Sequence, residues 1–167
     1  MNTANRPHRL KLQLSYAEYA RSHKNRVNHR FHQVGITLIV YSVLGLLSKV
    51  RLWDHFSTPT GSWIPGFSLS ETTLSLDGAI LLLGFHVGWV ALSDFVLALS
   101  YAPALLAVYL VSKETPLEYL YSTLILGFVL QGLGHKFCER NSPAFFKNLK
   151  HLFVGPVWYY ARLIHRA

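Results

Sequence analysis

Apolar residues in this chain gather into long, charge-poor runs separated by polar or basic stretches. A helix that crosses a bilayer needs roughly 20 mainly apolar residues, fewer where the flanks help. The first run extends from Val34 to about Leu47. A stretch rich in Pro, Gly, Ser and Thr follows, from Ser48 to Asp77, and reads as a loop with Trp53 and Trp63 as interfacial anchors. The next run, Gly78 to Ser112, has Asp94 as its one formal charge. At about 1.5 Å per residue it is too long for one straight span, so two helices turning near Ser93-Asp94 are predicted. A last run, from Tyr119 to Leu133 or Gly134, makes a fourth. The tail from Ala144 to Ile164 reads as an interfacial amphipathic segment broken at Gly155-Pro156. The pattern thus predicts an all-α polytopic membrane protein, one domain over 1–167, with spans near 34–47, 78–93, 95–112 and 119–134 and interfacial helices at both ends.

Composition agrees: 51% hydrophobic and 14% aromatic residues over 167 positions are too apolar for an ordinary soluble domain of this size. The single cysteine, Cys138, excludes an intrachain disulfide framework, and no paired CxxC spacing suggests a structural zinc site. The polar, basic N-terminus lacks the apolar core and cleavage site of a secretory signal, so the mature chain is expected to begin near Met1.

Four spans put both termini on one side. Residues 1–31 carry seven Lys/Arg against Glu18, and residues 136–167 carry six against Glu139, so the positive-inside rule makes both ends cytoplasmic. That topology would be the endoplasmic reticulum membrane in a eukaryote or the inner membrane in a bacterium. The net charge of +8 follows from topology and attraction to anionic lipid headgroups. Nucleic acid is not an expected partner, because the basic residues flank membrane spans instead of forming a base-reading element.

Nine histidines remain to be placed. His8, His29, His55, His151 and His165 lie in polar flanks or loops and are set aside as surface residues. His86 sits inside an apolar run, where an imidazole serves either function or a bond to a neighbouring helix. The informative ones fall into two clusters. At the threshold of the first span are His23, Asn28, His32 and Gly35. His23 and His32, nine positions apart, would point to opposite sides of one straight helix, and both face one ion only if the helix starts after His23. Asn28 suits such a start as N-cap or polar partner. At the end of the fourth span, Gln131, His135 and Glu139 recur every four residues and form one polar stripe. Gly132 and Gly134 remove bulk beside it and let a neighbouring helix approach. His135 and Glu139, one turn apart, can both approach a metal, and the four-span topology brings them to the same membrane face as His23 and His32. The competing reading is a basic interfacial helix whose histidines face headgroups, and a helix end with a Glu139–Arg140 surface pair stopped by Pro143.

The two patterns together, His23-x4-Asn28-x3-His32-x2-Gly35 and Gln131-x2-Gly134-His135-x3-Glu139-x3-Pro143-Ala144, resemble the small membrane family of the yeast 2-hydroxy fatty acid dioxygenase of phytosphingosine breakdown. Arg26 and Thr37 stand where many members of that family have proline. The resemblance implies an Fe(II)-dependent dioxygenase that takes a 2-hydroxy fatty acid and O2 and shortens the acid by one carbon, with membrane lipid around it. It implies His23, His32 and His135 as iron ligands, and Glu139 as a fourth ligand or as an acceptor fixing an imidazole tautomer. Asn28 and Gln131 would support the ligands. The acyl chain would lie between the spans, and Arg26, Arg30 or Lys136 would hold the carboxylate if the metal does not hold it alone.

Three other classes fit the residues. A membrane haem protein would use His32 and His135 as axial ligands. A non-enzymatic lipid-binding or scaffold protein would use the histidines as polar packing residues. A zinc hydrolase with Glu139 as base lacks the compact HExxH spacing.

Overall fold

The computed structural model describes residues 6–53, 76–139 and 150–164. Their helices are α1 (Arg6–Arg21), α2 (Arg26–Leu47), α3 (Gly78–Ser93), α4 (Phe95–Lys113), α5 (Leu117–Leu133) and α6 (Lys150–Leu163). A π-helical turn, Gly134–Glu139, continues α5. Two short strands, β1 (Arg51–Trp53) and β2 (Leu76–Asp77), pair antiparallel where the loop after α2 leaves and returns. Trp63, the other expected anchor, lies outside the described residues.

The chain is an all-α membrane protein. α2, α4, and α5 with its π turn are each long and apolar enough to cross a bilayer. α3 is as apolar but has 16 residues, which at about 1.5 Å each gives about 24 Å against a hydrocarbon core of about 30 Å. Among the described residues, length therefore supplies three crossing helices where the pattern predicted four. The predicted turn between α3 and α4 is a single residue, Asp94, whose Oδ1 accepts the Leu97 N–H at 2.9 Å and caps α4. Asp77 caps α3 in the same way through Ile80 N–H, and its Oδ2 accepts the Tyr109 hydroxyl at 2.7 Å.

α2 and α5 pack antiparallel and make the most extensive helix pair, because glycine removes side chains where they touch. A Cβ on Gly35 would stand 2.8 Å from the Gly127 carbonyl oxygen, and one on Gly127 would stand 2.8 Å from that of Gly35. Farther along, Ser42 and Thr123 share a hydroxyl hydrogen bond of 2.6 Å across the same seam. The remaining helices pack on the α2 side of this pair, against α2 and one another. Val90, Leu97, Tyr101, Leu105, Val157 and Ala161 join α3, α4 and α6, and Tyr19, Ile36, Val154 and Trp158 join α1, α2 and α6. Phe85, Leu99, Val111 and Ile125 point outward, as a lipid-facing surface requires.

The tail differs from expectation. α6 runs unbroken through Gly155 and Pro156. Its buried face, His151, Val154, Gly155, Trp158 and Ala161, is held in the bundle, and that packing outweighs the hydrogen bond that Pro156 cannot donate. Gly155 lets α6 lie close to α1, since a Cβ there would come 3.1 Å from the Tyr19 hydroxyl and press on it. Arg140, Pro143 and Ala144–Leu149 lie outside the described residues.

Candidate metal centre

The helix break between His23 and His32 exists, and its cap is Asn25. α1 ends at Arg21, and α2 starts at Arg26 with Asn25 Oδ1 accepting the Val27 N–H at 2.8 Å. The Asn28 N–H reaches the same oxygen at 3.4 Å. Asn28 itself lies inside the first turn of α2, because Asn25 takes the extended backbone that a cap requires. His23 thus hangs from the connection between α1 and α2, free of the helical register that would have turned it away from His32. Antiparallel packing then brings the end of α5 against the start of α2, and His135 arrives opposite His32.

The three imidazoles are buried, with exposures of 3% for His23, 0% for His32 and 1% for His135. Their rings meet edge to face, with centroids 4.5 Å apart for His23–His32, 4.9 Å for His23–His135 and 4.6 Å for His32–His135. His23 Nδ1 donates to the Tyr19 carbonyl at 2.7 Å, and His32 Nδ1 donates to the Asn28 carbonyl at 3.2 Å. Those bonds fix the proton on Nδ1 and leave Nε2 with its lone pair, the tautomer a metal ligand needs. Burial pushes the His23 imidazole down to about 4, so it is neutral at physiological pH.

A metal ion fits the Nε2 atoms. His32 Nε2 and His135 Nε2 lie 3.0 Å apart, and His23 Nε2 is buried without a partner among the described residues. One donor atom from each residue lies within 4.8 Å of the others. Metal–nitrogen bonds of about 2.1 Å would place adjacent donors about 3 Å apart, the separation that His32 and His135 already have. Axial haem ligation does not fit. Ligands on opposite faces of a flat macrocycle cannot lie 3.0 Å apart with a third imidazole against both.

Glu139 is placed differently from the predicted stripe. The π turn closes its hydrogen bonds over five residues, so Glu139 does not stack one α-helical turn above His135. Its Oε1 instead accepts the Lys24 and Asn25 N–H groups, each at 2.7 Å, and the Asn28 side-chain amide at 3.2 Å. The carboxylate thereby ties the end of α5 to the N-terminus of α2 and to the connection that carries His23. Gly134 permits the contact, because a Cβ there would collide with Asn28 Oδ1. Gly132 faces open space and permits no such approach.

The cluster caps one end of a cavity of about 250 Å3. Gln131, His86 and His151 join the three histidines on its lining, and Ile36, Val40, Leu83, Leu105, Phe128 and Phe153 make most of its wall apolar. His29, set aside as a surface residue, donates through Nε2 to the His23 carbonyl at 2.9 Å. His151 was the larger omission. It is 7% exposed and faces the cavity, and its spacing with Val154, Gly155, Trp158 and Ala161 on one helical face was the signal available. Arg26, Arg30 and Lys136 are exposed and do not line the cavity. His55 and His165 lie outside the described residues.

Comparison with known families places the chain. The family model for 2-hydroxy-palmitic acid dioxygenase Mpo1-like proteins matches residues 10–167. The chain is a member of the Mpo1-like family. The matched region takes in every residue of the cluster and of the cavity wall. No curated protein and no solved structure matches the chain. The family's name denotes a dioxygenase of a 2-hydroxy fatty acid, and a three-histidine centre beside an apolar cavity suits such a reaction.

Proposed function

We propose that this Mpo1-like protein is an Fe(II)-dependent dioxygenase that shortens 2-hydroxy fatty acids by one carbon. The observation that carries the reading is the meeting of three buried imidazoles, one ligand atom of each within 4.8 Å of the others, on the lining of an apolar cavity. His23, His32 and His135 are assigned as the ligands. Fe(II) held there supplies the one-electron chemistry that lets O2 react with a closed-shell fatty acid.

The chain's own residues do the rest. The Tyr19 and Asn28 carbonyls hold His23 and His32 in the ligating tautomer, and Glu139 holds the connection bearing His23 against α5. Gln131, 5% exposed, lines the head of the cavity as a hydrogen-bonding group near the reacting carbons. The apolar wall takes the acyl chain and keeps water from it. We assign both termini to the cytoplasmic side, with α3 as a short fourth span, on the charge of the flanks.

Detergent-purified protein, loaded with Fe(II) without oxygen and then given air and 2-hydroxypalmitate, is expected to release the acid one carbon shorter. Palmitate, without the 2-hydroxyl, is expected to be left intact. Equal consumption of both acids, or no product from protein holding stoichiometric iron, refutes the assignment.

A further inference from the structure

A 2-hydroxy fatty acid carries a carboxylate into a cavity whose wall is mostly apolar, and a buried anion needs a matched donor. Among the described residues, no lysine or arginine lines that cavity. Beside the three clustered histidines, the nitrogen-bearing side chains on the lining are Gln131, His86 and His151. His86 Nε2 already has the Tyr101 hydroxyl at 3.4 Å. His151 is different. Its Nδ1 is buried with no partner among the described residues, and its Nε2 lies 3.4 Å from Glu18 Oε1. The Tyr19 ring stacks on His23 at 4.0 Å and meets His151 at 5.7 Å, so His151 stands one ring away from the cluster.

We infer that His151, oriented by Glu18, is the residue that holds the substrate carboxylate. The inference rests on the reaction proposed above. Glu18 is an exposed carboxylate on α1, with 51% of its side chain accessible, and it faces Nε2. Nδ1, on the other edge of the ring, has no partner among the described residues, and a ring that donates to a carboxylate from each nitrogen has its charge balanced on both sides. Glu18 is one such carboxylate and the arriving one is the other. The fatty acid therefore completes a carboxylate–imidazolium–carboxylate arrangement. A neutral ligand of the same length leaves it incomplete. His151 thus selects the acid head while the apolar wall accepts the chain, and it does so without touching the metal ligands.

Metal-free protein in detergent separates this from the iron chemistry. Binding of 2-hydroxypalmitate is compared with that of hexadecane-1,2-diol, which keeps the chain and the 2-hydroxyl but lacks the carboxylate. Wild type is expected to favour the acid about tenfold or more, the worth of one hydrogen bond to a charged group. His151→Ala is expected to bind the diol as wild type does and to lose the preference, and Glu18→Gln to lose part of it. In iron-loaded protein, His151→Ala should raise KM about tenfold with kcat little changed. A preference absent from wild type, or intact in His151→Ala, overturns the inference. Should His151→Ala fail to bind even the diol, Glu18→Gln decides, and an undiminished preference there overturns it as well. Turnover is scored separately: a carboxylate preference that depends on His151 in a protein that forms no shortened acid counts against the reaction and leaves the His151 site standing.

Discussion

Removing the Glu139 carboxylate tests whether the centre is held together from outside its ligands. Oε1 takes two backbone N–H groups at 2.7 Å and the Asn28 amide at 3.2 Å. Lys24 and Asn25 are exposed, so water recovers much of what their N–H groups lose in Glu139→Ala. Asn28 is fully buried, and its amide left without an acceptor costs about 1–3 kcal/mol. With about 1 kcal/mol for the two backbone bonds, the loss is about 2–4 kcal/mol. For a chain of this size that lowers the thermal midpoint by about 4–16 °C. Release of the connection also frees His23, so metal affinity should fall about 10–100-fold while His32 and His135 stay in place. Glu139→Gln keeps one oxygen acceptor and should lose less by both measures. Competition with a calibrated chelator, beside a melting curve of the metal-free protein, reads both. Unchanged affinity and melting in Glu139→Ala would refute the clamp.

Other changes should separate the frame from the site. Gly127→Ala puts a methyl 2.8 Å from the Gly35 carbonyl and should cost about 1–3 kcal/mol, with metal content falling as α2 and α5 part; melting and elemental analysis report it. Tyr109→Phe leaves Asp77 Oδ2 without its hydroxyl donor and should cost about 1–3 kcal/mol, yet that pair lies at the other end of the bundle, so iron stoichiometry should hold. The metal-free protein should lose stability on acidification. His23 is buried neutral with its pKa near 4 against an ordinary 6.5, so the unfolded chain binds the extra proton first. The stabilisation is full above pH 6.5 and lost as pH falls through that window towards 4, by about 3 kcal/mol from this residue. A midpoint independent of pH between 7 and 4 contradicts it.

Much of this site could be read from the sequence because its signals are local. A charge-poor run interrupted by Asp94 marks two helices, and capping chemistry places the turn there whatever packs around it. His23 and His32 required a helix break, and the break is where the polar residues allowed it. The departures arise where packing or a non-α register intervenes. Gly155-Pro156 reads as a break until the buried face of α6 is set against α1, α2 and α4, which no local rule contains. The Gln131–His135–Glu139 stripe assumes α-helical spacing, and the π turn removes that assumption, sending Glu139 to the start of α2. His151 reads as a surface residue because it lies in a polar flank; its helical spacing with Val154, Trp158 and Ala161 marks a buried face, and the fold turns that face to a cavity roofed by Tyr19.

The central claim is that three histidines from two ends of the chain hold one non-haem iron. Elemental analysis beside an absorption spectrum, on wild type and on His23→Ala, His32→Ala and His135→Ala after anaerobic Fe(II) loading, tests it most directly. Near-stoichiometric iron in wild type, no Soret band, and loss of iron in all three variants with helical content retained is the predicted result. Iron that survives any of the three substitutions undiminished, or wild type that takes up none, would contradict it.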